Sequence, residues 1–354
     1  MSFQIMPKTA LSEWVEHLGR SNRLIGPRKV RGQYSFKEFQ SADDFQLDYP
    51  TTILPPKKVL LPQHEDLIEF DNSSNRMQPL LDTRQTVILG VHTCDLHAIL
   101  MLDQVFNQGL PDQHYQTKRE NVTIVSIECL DHCTEHSFCK DMGTPSIPDQ
   151  FDIHLVDLGN DYALFVGSEK GEALLQGFEH AKECSDDDYR QYNLVMSNKW
   201  SRFQYRLKAD ITQLPSLMTL SKKSTYWEEI ENRCLGCGLC SIVCPTCYCF
   251  DVCDEVDLAL NAGVRYRVWD SCQLNQFAAV AGGHDFRQSR AARQRHRFLR
   301  KFKYQSIADG LVGCVGCGRC ASTCLAQISP IDVLNKLYSQ RVSSTHDRRR
   351  ANII

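Results

Sequence analysis

The sequence lacks the segments that would send a protein to a membrane or out of the cell. No apolar run approaches the roughly 18 residues that a membrane helix needs. The N-terminus has neither the basic start and apolar stretch of a signal peptide nor a twin-arginine motif. The net charge of −3 gives no reason to expect nucleic acid as a general partner. We therefore expect a cytoplasmic protein with no membrane insertion and no nucleic-acid partner.

Motifs of several common enzyme sites are also missing. No G-x-G-x-x-G follows a strand pattern, so there is no dinucleotide fingerprint. A P-loop, a nucleophile elbow and a pair of separated C-x2-C motifs suited to a nickel–iron centre are absent as well. The sequence therefore shows no obvious substrate site, and we assign no catalytic residue.

Cysteine, by contrast, is abundant. The chain has 17 cysteines in 354 residues, and seven of them fall in the stretch CLGCGLCSIVCPTCYCFDVCD, residues 234–254. An odd number of thiols, in a chain that is neither small nor secreted, argues against a disulfide framework in a reducing compartment. Metal binding is the explanation that remains.

The order of apolar patterns predicts an α/β domain over residues 1–185 and a mainly α-helical domain over 186–354. In the first domain, strands are expected at 86–92, 121–129, 151–159 and 162–167, and helices at 9–18, 94–106 (with Asp95 as N-cap) and 168–183. The stretch around Pro50, Pro55 and Pro56 is expected to be an extended connection. In the second domain, helices are expected at 190–233, 255–262, 273–281 and 287–303, followed by a frayed basic tail over 341–354.

A repeated cysteine motif lies in the second domain. Residues 234–244 and 314–324 both have the spacing C-x2-C-x2-C-x3-C, with glycine after the second cysteine. This is the spacing of bacterial-type [4Fe–4S] ligation, in which the fourth cysteine of each motif binds the other cluster. The predicted ligands are Cys234, Cys237, Cys240 and Cys324 for cluster 1, and Cys314, Cys317, Cys320 and Cys244 for cluster 2. Zinc is the alternative, although structural zinc sites use two separated C-x2-C pairs.

The long insertion between the two motifs, residues 245–313, is mostly helical in pattern. In this it is similar to the α-helical ferredoxins of the fumarate-reductase and heterodisulfide-reductase type. The predicted fold is thus an α/β domain followed by a helical, ferredoxin-like domain with two [4Fe–4S] clusters.

A third iron–sulfur site is predicted at the end of two strands of the first domain. Cys94 and Cys129 each follow a predicted strand, and parallel neighbours would bring both to one sheet edge. The loop after Cys129 adds Cys133 and Cys139. A [4Fe–4S] cluster, a zinc ion with the same ligands, or packed free thiols would each fit this set. The neighbouring His92, His97 and His132 are assigned no ligand role.

Two further groups of residues have more than one explanation. Cysteines 247, 249, 253 and 272 crowd around the end of the first motif, where they could pack beside the clusters or hold another one. Residues 287–303 carry eight Lys or Arg. They could form a solvated helix face, a basic docking surface for a partner, or positive charge that raises the potential of a nearby cluster.

Further segments of the chain form a recognisable set, which includes VHTCDLHAI (91–99), CTEHSFCKDMGT (133–144), CPTCYCFDV (244–252), WDSCQ (269–273), VAGGHDFR (280–287) and CVGCGRC (314–320). Over nearly the whole chain, this set resembles the β subunit of sulfhydrogenase-type nickel–iron hydrogenases, a family that also includes the corresponding subunit of anaerobic sulfite reductase. Thr93 and Ser137 stand where that family usually has Pro and often has Cys.

The resemblance implies a non-catalytic electron-transfer subunit. Its partners would be a flavin subunit that handles NAD(P)H and a catalytic subunit with either a nickel–iron centre or sirohaem. The residues alone do not distinguish a hydrogenase complex from a sulfite reductase complex. A zinc-stapled scaffold without a redox role and an autonomous reductase are the other hypotheses.

Overall fold

The computed structural model describes residues 3–351 and divides them into two compact units. The sheet unit comprises residues 3–133, 144–203 and 250–269. The cysteine unit comprises residues 134–143, 204–249 and 270–351. This division differs from the predicted boundary at 185/186, because one helix and one hairpin from the predicted second domain belong to the sheet unit, and one short segment of the predicted first domain belongs to the cysteine unit.

The strands of the sheet unit are β1 (Gln4–Pro7), β2 (Arg23–Val30), β3 (Gln33–Phe39), β4 (His64–Asp71), β5 (Arg76–Pro79), β6 (Thr86–His92), β7 (Val122–Ile127), β8 (Ile153–Asp157), β9 (Asp161–Val166), β10 (Lys182–Glu183), β11 (Phe250–Val256) and β12 (Ala262–Trp269). Eight of them form a mixed sheet of order β10-β1-β9-β8-β7-β6-β2-β3. Its central pairs β2/β6, β6/β7 and β7/β8 are parallel. Strands β4, β5, β11 and β12 form a second sheet of order β11-β12-β4-β5.

Strand β6 has the burial pattern that is typical of a central strand in a parallel sheet. All seven of its residues are buried, as expected for a strand covered on both faces. Its position at 86–92 and its parallel pairing with β7 agree with the sequence prediction. The helices of this unit are Leu11–Gly19, Lys57–Leu60, Thr93–Phe106, Gln113–Glu120, Glu169–Leu175 and Asp186–Arg202.

Four details of the sequence prediction are corrected in this unit. His92 occupies the N-cap position of the helix after β6 without a side-chain capping hydrogen bond, and Asp95 lies in the first turn of that helix. The helix expected at 168–183 ends at Leu175. The segment before the proline-containing connection, for which no strand is predicted, forms β2 and β3, with Pro27 inside β2. The helix expected at 255–262 is instead the end of β11 and the turn into β12.

Pairing with β4 explains the last of these differences. Strand β12 pairs with β4 along its length, and Arg267 on β12 is 2% exposed. Its guanidinium forms ion pairs with Glu65 at 2.6 Å and with Asp112 at 2.6 Å. These contacts to residues 202 and 155 positions away along the chain override the local helical propensity.

The cysteine unit is mainly helical. Trp227, Phe298, Phe302 and Leu337 lie at the centre of its buried core. Its helices are Cys139–Met142, Leu214–Leu220, Tyr226–Arg233, Leu239–Ile242, Arg290–Leu299, Gln305–Asp309, Arg319–Ser322 and Pro330–Ala351, and a π-helical turn, Arg300–Tyr304, joins the fifth to the sixth.

Two predictions in the cysteine unit are revised. In place of the helix expected at 273–281, the structure has a 3-10 turn, Gln276–Ala278, before strands β13 (Ala279–Val280) and β14 (His284–Asp285). The basic tail expected from Arg341 continues the last helix to Ala351, and residues 352–354 lie outside the described part. Within residues 3–351, no helix is both long enough and apolar enough to cross a membrane.

A buried ion pair makes the stability of the sheet unit testable. Lys199 is 1% exposed and bonds to the Glu128 carboxylate and to the Pro145 carbonyl oxygen. Lys199→Met would remove this partner from the buried Glu128 carboxylate, which keeps His154 Nε2 at 3.0 Å, so we expect a cost of about 1–3 kcal/mol. We expect a clearly lower urea midpoint by circular dichroism. Arg202→Met, at an exposed position of the same helix, should change it little, and equal midpoints for both variants would contradict the role of the pair.

Candidate metal centres

Two cavities in the cysteine unit bring the repeated motifs together. The first is lined by Cys234, Cys237 and Cys240 from the first motif and by Cys324 from the second. The second is lined by Cys314, Cys317 and Cys320 from the second motif and by Cys244 from the first. Each encloses about 420 Å³, counting the part that is open to solvent. Each cavity therefore has three sulfurs from one motif and one from the other.

The glycines of the motifs let the backbone fold around these cavities. Gly236, Gly238, Gly316 and Gly318 have φ values of 66°, 81°, 68° and 77°, which side-chain-bearing residues rarely adopt. A Cβ at Gly316 would lie 2.6 Å from backbone atoms of Phe138 and Cys139. Phe138 N–H donates to the Gly316 carbonyl oxygen at 2.8 Å. The segment 134–143 thus packs directly on the second motif.

Donors to sulfur surround the first cavity. The Gln294 side-chain amide donates to Cys234 Sγ at 3.1 Å, and the Gly236 backbone N–H donates to the same sulfur at 3.4 Å. Ile328 N–H donates to Cys324 Sγ at 3.3 Å. Such hydrogen bonds stabilise thiolates bound to iron and influence the cluster potential. Four thiols, two of which accept hydrogen bonds of this kind, fit a [4Fe–4S] cluster.

Arg297 lines both cavities and is 4% exposed. Within the described residues, its Nε has no hydrogen-bond partner. Burial opposes its charge, but the thiolates of Cys240 and Cys320 raise the pKa of the Arg297 guanidinium well above its usual value. A buried cation needs nearby negative charge, and an anionic cluster in either cavity would supply it.

Lys301 adds a second cation, beside the second cavity only. Its ammonium donates to Thr246 Oγ1 at 2.7 Å and to the Gly313 carbonyl oxygen at 2.9 Å. Thr246 Oγ1 lies 3.3 Å from Cys244 Sγ. The basic segment 287–303 therefore directs part of its charge inward.

For three of the eight basic residues, the structure argues against the docking surface that was one of the expectations for this segment. Arg293, Arg297 and Lys301 are 4%, 4% and 6% exposed, so they are not available to a partner on the surface. The alternative, positive charge next to a cluster, fits their positions. Their spacing of four residues places them on one face of the helix and the π-helical turn that follows it.

Burial is the main influence on the pKa of three cavity thiols. It raises the pKa of Cys240 and of Cys314 to about 12, and it also raises the pKa of Cys320. Thiolates are the form that binds iron. Metal binding at these cavities must therefore displace protons that burial holds on the sulfurs.

The cysteines around the end of the first motif line neither cavity. Cys272 accepts a hydrogen bond from Cys249, which lowers the pKa of Cys272 to about 5 and raises that of Cys249. Cys247 bonds to Cys244, which raises the pKa of Cys247. Cys253 lies on β11 of the sheet unit. Packing and hydrogen bonding beside the motifs account for Cys247, Cys249 and Cys272.

In the sheet unit, Cys129 and Cys133 come together with His92. One ligand atom from each lies within 4.8 Å of the other two. The Cys133 hydrogen bond and the charge of His92 lower the pKa of Cys129 to about 6, although burial acts to raise it. Cys94 is not part of this compact group, and Cys139 belongs to the cysteine unit. The sequence pattern assigns His92 no role, although this residue ends a buried strand two residues before Cys94.

Comparison with known proteins supports an iron–sulfur domain in the part of the chain that contains the repeated cysteine motifs. A family model described as a 4Fe–4S dicluster domain matches residues 233–328. Sulfhydrogenase 2 subunit beta of Pyrococcus furiosus is 36% identical over 326 residues, which covers 92% of this chain and 95% of that protein. No solved structure matches the chain.

The two paired cavities and the dicluster match define an iron–sulfur protein of the electron-transfer class. The extent of the match to the Pyrococcus protein identifies the family: the chain belongs to the sulfhydrogenase β subunits. The resemblance found in the sequence is thereby confirmed.

The two buried cations predict an unequal response of the two centres. A unit charge about 7 Å away contributes roughly 2 kcal/mol at an effective dielectric constant of about 20, on the order of 100 mV for a one-electron couple. Arg297→Gln should therefore lower both midpoint potentials by up to about 100 mV, whereas Lys301→Gln should lower mainly that of the second cavity's centre. EPR-monitored redox titration measures this.

The matched control is Lys303→Gln, since Lys303 is partly exposed and lines neither cavity. Its potentials should stay close to those of the wild type. Iron content must be equal in all four proteins for the comparison to count. Equal shifts in Lys301→Gln and Lys303→Gln would contradict the electrostatic role of Lys301.

Proposed function

We propose that the chain is the iron–sulfur electron-transfer subunit of a cytosolic complex of the nickel–iron (sulf)hydrogenase type. The observation that carries this proposal is the pairing of the motifs in two cavities, each with three cysteines of one motif and one of the other. Crossed pairing of this kind is the arrangement of two-cluster ferredoxins. The similarity to a sulfhydrogenase β subunit favours a hydrogenase over a sulfite reductase.

The proposal gives each cavity residue a role. Cys234, Cys237, Cys240 and Cys324 hold one cluster, and Cys314, Cys317, Cys320 and Cys244 hold the other. When bound, such clusters accept and donate single electrons. Gln294 and the backbone amides orient and stabilise the thiolates, and Arg297 and Lys301 balance the negative charge. The apolar side chains of Phe138, Phe298 and Phe302 line the second cavity and limit the access of water to it.

The proposed partners follow from what the chain lacks. NAD(P)H delivers a two-electron hydride, and a flavin is the cofactor that converts it into single electrons. The strand–helix connections of the sequence carry no dinucleotide fingerprint. A flavin subunit that handles NAD(P)H would therefore supply or receive the electrons on one side. A catalytic subunit with a nickel–iron centre would do so on the other.

Crossed ligation can be tested with one substitution. Cys324→Ser should perturb the cluster that is otherwise held by the first motif, because Cys324 lines the first cavity. The wild-type chain should contain about 8 iron atoms if it holds two clusters, and the variant should lose part of this iron and one of two EPR signals. Cys253→Ser, on β11, is the control and should keep both.

The assignment of the signals needs a second variant, Cys237→Ser, which also lines the first cavity. Cys324→Ser and Cys237→Ser should alter the same EPR signal. If Cys324→Ser instead alters the signal that Cys317→Ser alters, ligation is not crossed.

The relay itself predicts which reductants work. Dithionite should reduce and bleach the isolated chain, whereas NADH and NADPH should do so only after a flavin-containing partner protein is added. Visible absorbance under anaerobic conditions follows both reactions, with flavin-free protein as the starting material. Direct reduction by NAD(P)H would rule out a pure relay. A colourless, iron-free native protein with stoichiometric zinc would favour the scaffold hypothesis instead.

A further inference from the structure

The group formed by His92, Cys129 and Cys133 is placed by the central parallel strands of the sheet unit. His92 ends β6 and pairs with Ile127, the last residue of β7. Cys129 follows two residues later, and Cys133 lies in the same loop. All three therefore lie where the carboxyl ends of two neighbouring strands meet, which is the usual location of a site on an open α/β sheet.

A bulge in β6 sets the direction of His92. The register between β6 and β7 shifts between Leu89 and Val91, and Gly90 has a φ of 76°. A Cβ at Gly90 would approach Leu47 at 3.1 Å and Pro27 at 3.2 Å, so glycine is required by both conformation and space. Bulges of this kind commonly redirect a side chain next to a functional site.

The His92 ring is held in a fixed plane. Tyr49 stacks on it with ring centroids 4.2 Å apart and an interplanar angle of 13°. The Tyr49 hydroxyl donates to the Gly90 carbonyl oxygen at 2.6 Å. Both residues are 5% exposed. A ligand that is oriented before the metal arrives costs less ordering entropy on binding.

The distances fit a single metal ion. His92 Nδ1 lies 3.7 Å from Cys133 Sγ, and one ligand atom of each of the three residues lies within 4.8 Å of the others. Tetrahedral zinc with Zn–S of about 2.3 Å and Zn–N of about 2.0–2.1 Å separates N and S ligands by about 3.6 Å. Thr93 Oγ1 donates to Cys129 Sγ at 3.8 Å, a contact of the kind that orients metal ligands.

The cavity cysteines of the other unit provide an internal comparison. Their sulfurs surround spaces of about 420 Å³, and among the described residues no three of them come within 4.8 Å of one another. Sulfurs that bind different corners of a cubane are spread out, whereas ligands of one ion are not. The two kinds of cysteine site in this chain thus differ in size.

We propose that His92, Cys129 and Cys133 bind a single zinc ion, in place of the third iron–sulfur cluster expected from the cysteines alone. Two thiolates and one imidazole are ligands that Zn²⁺ prefers, and three protein ligands leave a fourth position for water. The site does not depend on the assignment of the two clusters, because none of its ligands belongs to the repeated motifs.

Zinc content and X-ray absorption at the zinc edge test this on the full-length, anaerobically purified chain. The wild type should contain about one zinc, with two sulfurs at about 2.3 Å and nitrogen at about 2.0–2.1 Å. His92→Gln and Cys133→Ser should each lower bound zinc roughly fivefold or more, while iron content and the cluster EPR signals stay unchanged. The control is His97→Gln, since His97 bonds to the Ser146 carbonyl oxygen at 2.9 Å and lies outside the group.

Several results would overturn the proposal. These are a wild type without zinc, zinc content that His92→Gln and Cys133→Ser leave unchanged, a zinc shell of four sulfurs without nitrogen, or a loss of about 4 iron atoms in Cys133→Ser, which would indicate a [4Fe–4S] cluster. The absorption measurement on wild-type protein does not depend on the folding of any variant.

Discussion

The cysteine unit depends on one constraint, the neutralisation of charge between its two cavities. Arg297 is buried and lines both of them, and an unpaired guanidinium in this position would cost several kcal/mol. Burial, in turn, raises the pKa of the Cys240, Cys314 and Cys320 thiols. Cation and thiolates are thus each unfavourable alone and favourable together. Iron binding, which requires thiolates, would satisfy both.

The fourth cysteine of each motif lines the cavity of the other motif, so the balance of charge in either cavity involves both motifs. Cys244 lines the cavity of a motif that begins 70 residues later, and Cys324 returns to the first. Segments distant in sequence also meet there, since Phe138 donates to Gly316 and Lys301 donates to Thr246 and Gly313. Formation of either centre would therefore hold both motifs and the helical segment between Arg290 and Tyr304 together. Metal binding and folding of such a unit are one process.

The sequence predicted this arrangement in some respects and missed it in others, for physical reasons. Cluster spacing is a local property, so the motifs and their crossed pairing could be stated from residues 234–244 and 314–324 alone. Strand β6 was predicted at its observed residues because a strand that is buried on both faces appears in the sequence as a short, continuous apolar run. The hairpin β11–β12 was missed because pairing with β4 and the buried ion pairs of Arg267 decide it. The inward direction of Arg297 could not be known, since a basic helix has the same sequence whether its charges face solvent or a buried anion.

The two cavities are not equivalent, and the difference has a consequence for electron transfer. The second is lined by Arg297, Lys301 and three phenylalanines. The first shares Arg297 but has the amides Gln273 and Gln294 in place of the second cation. Positive charge stabilises the reduced, more negative state of a cluster, and its effect is larger where water is excluded. As far as charge placement decides it, an electron shared between the two centres should therefore reside preferentially in the second, and the two cations would favour transfer in that direction.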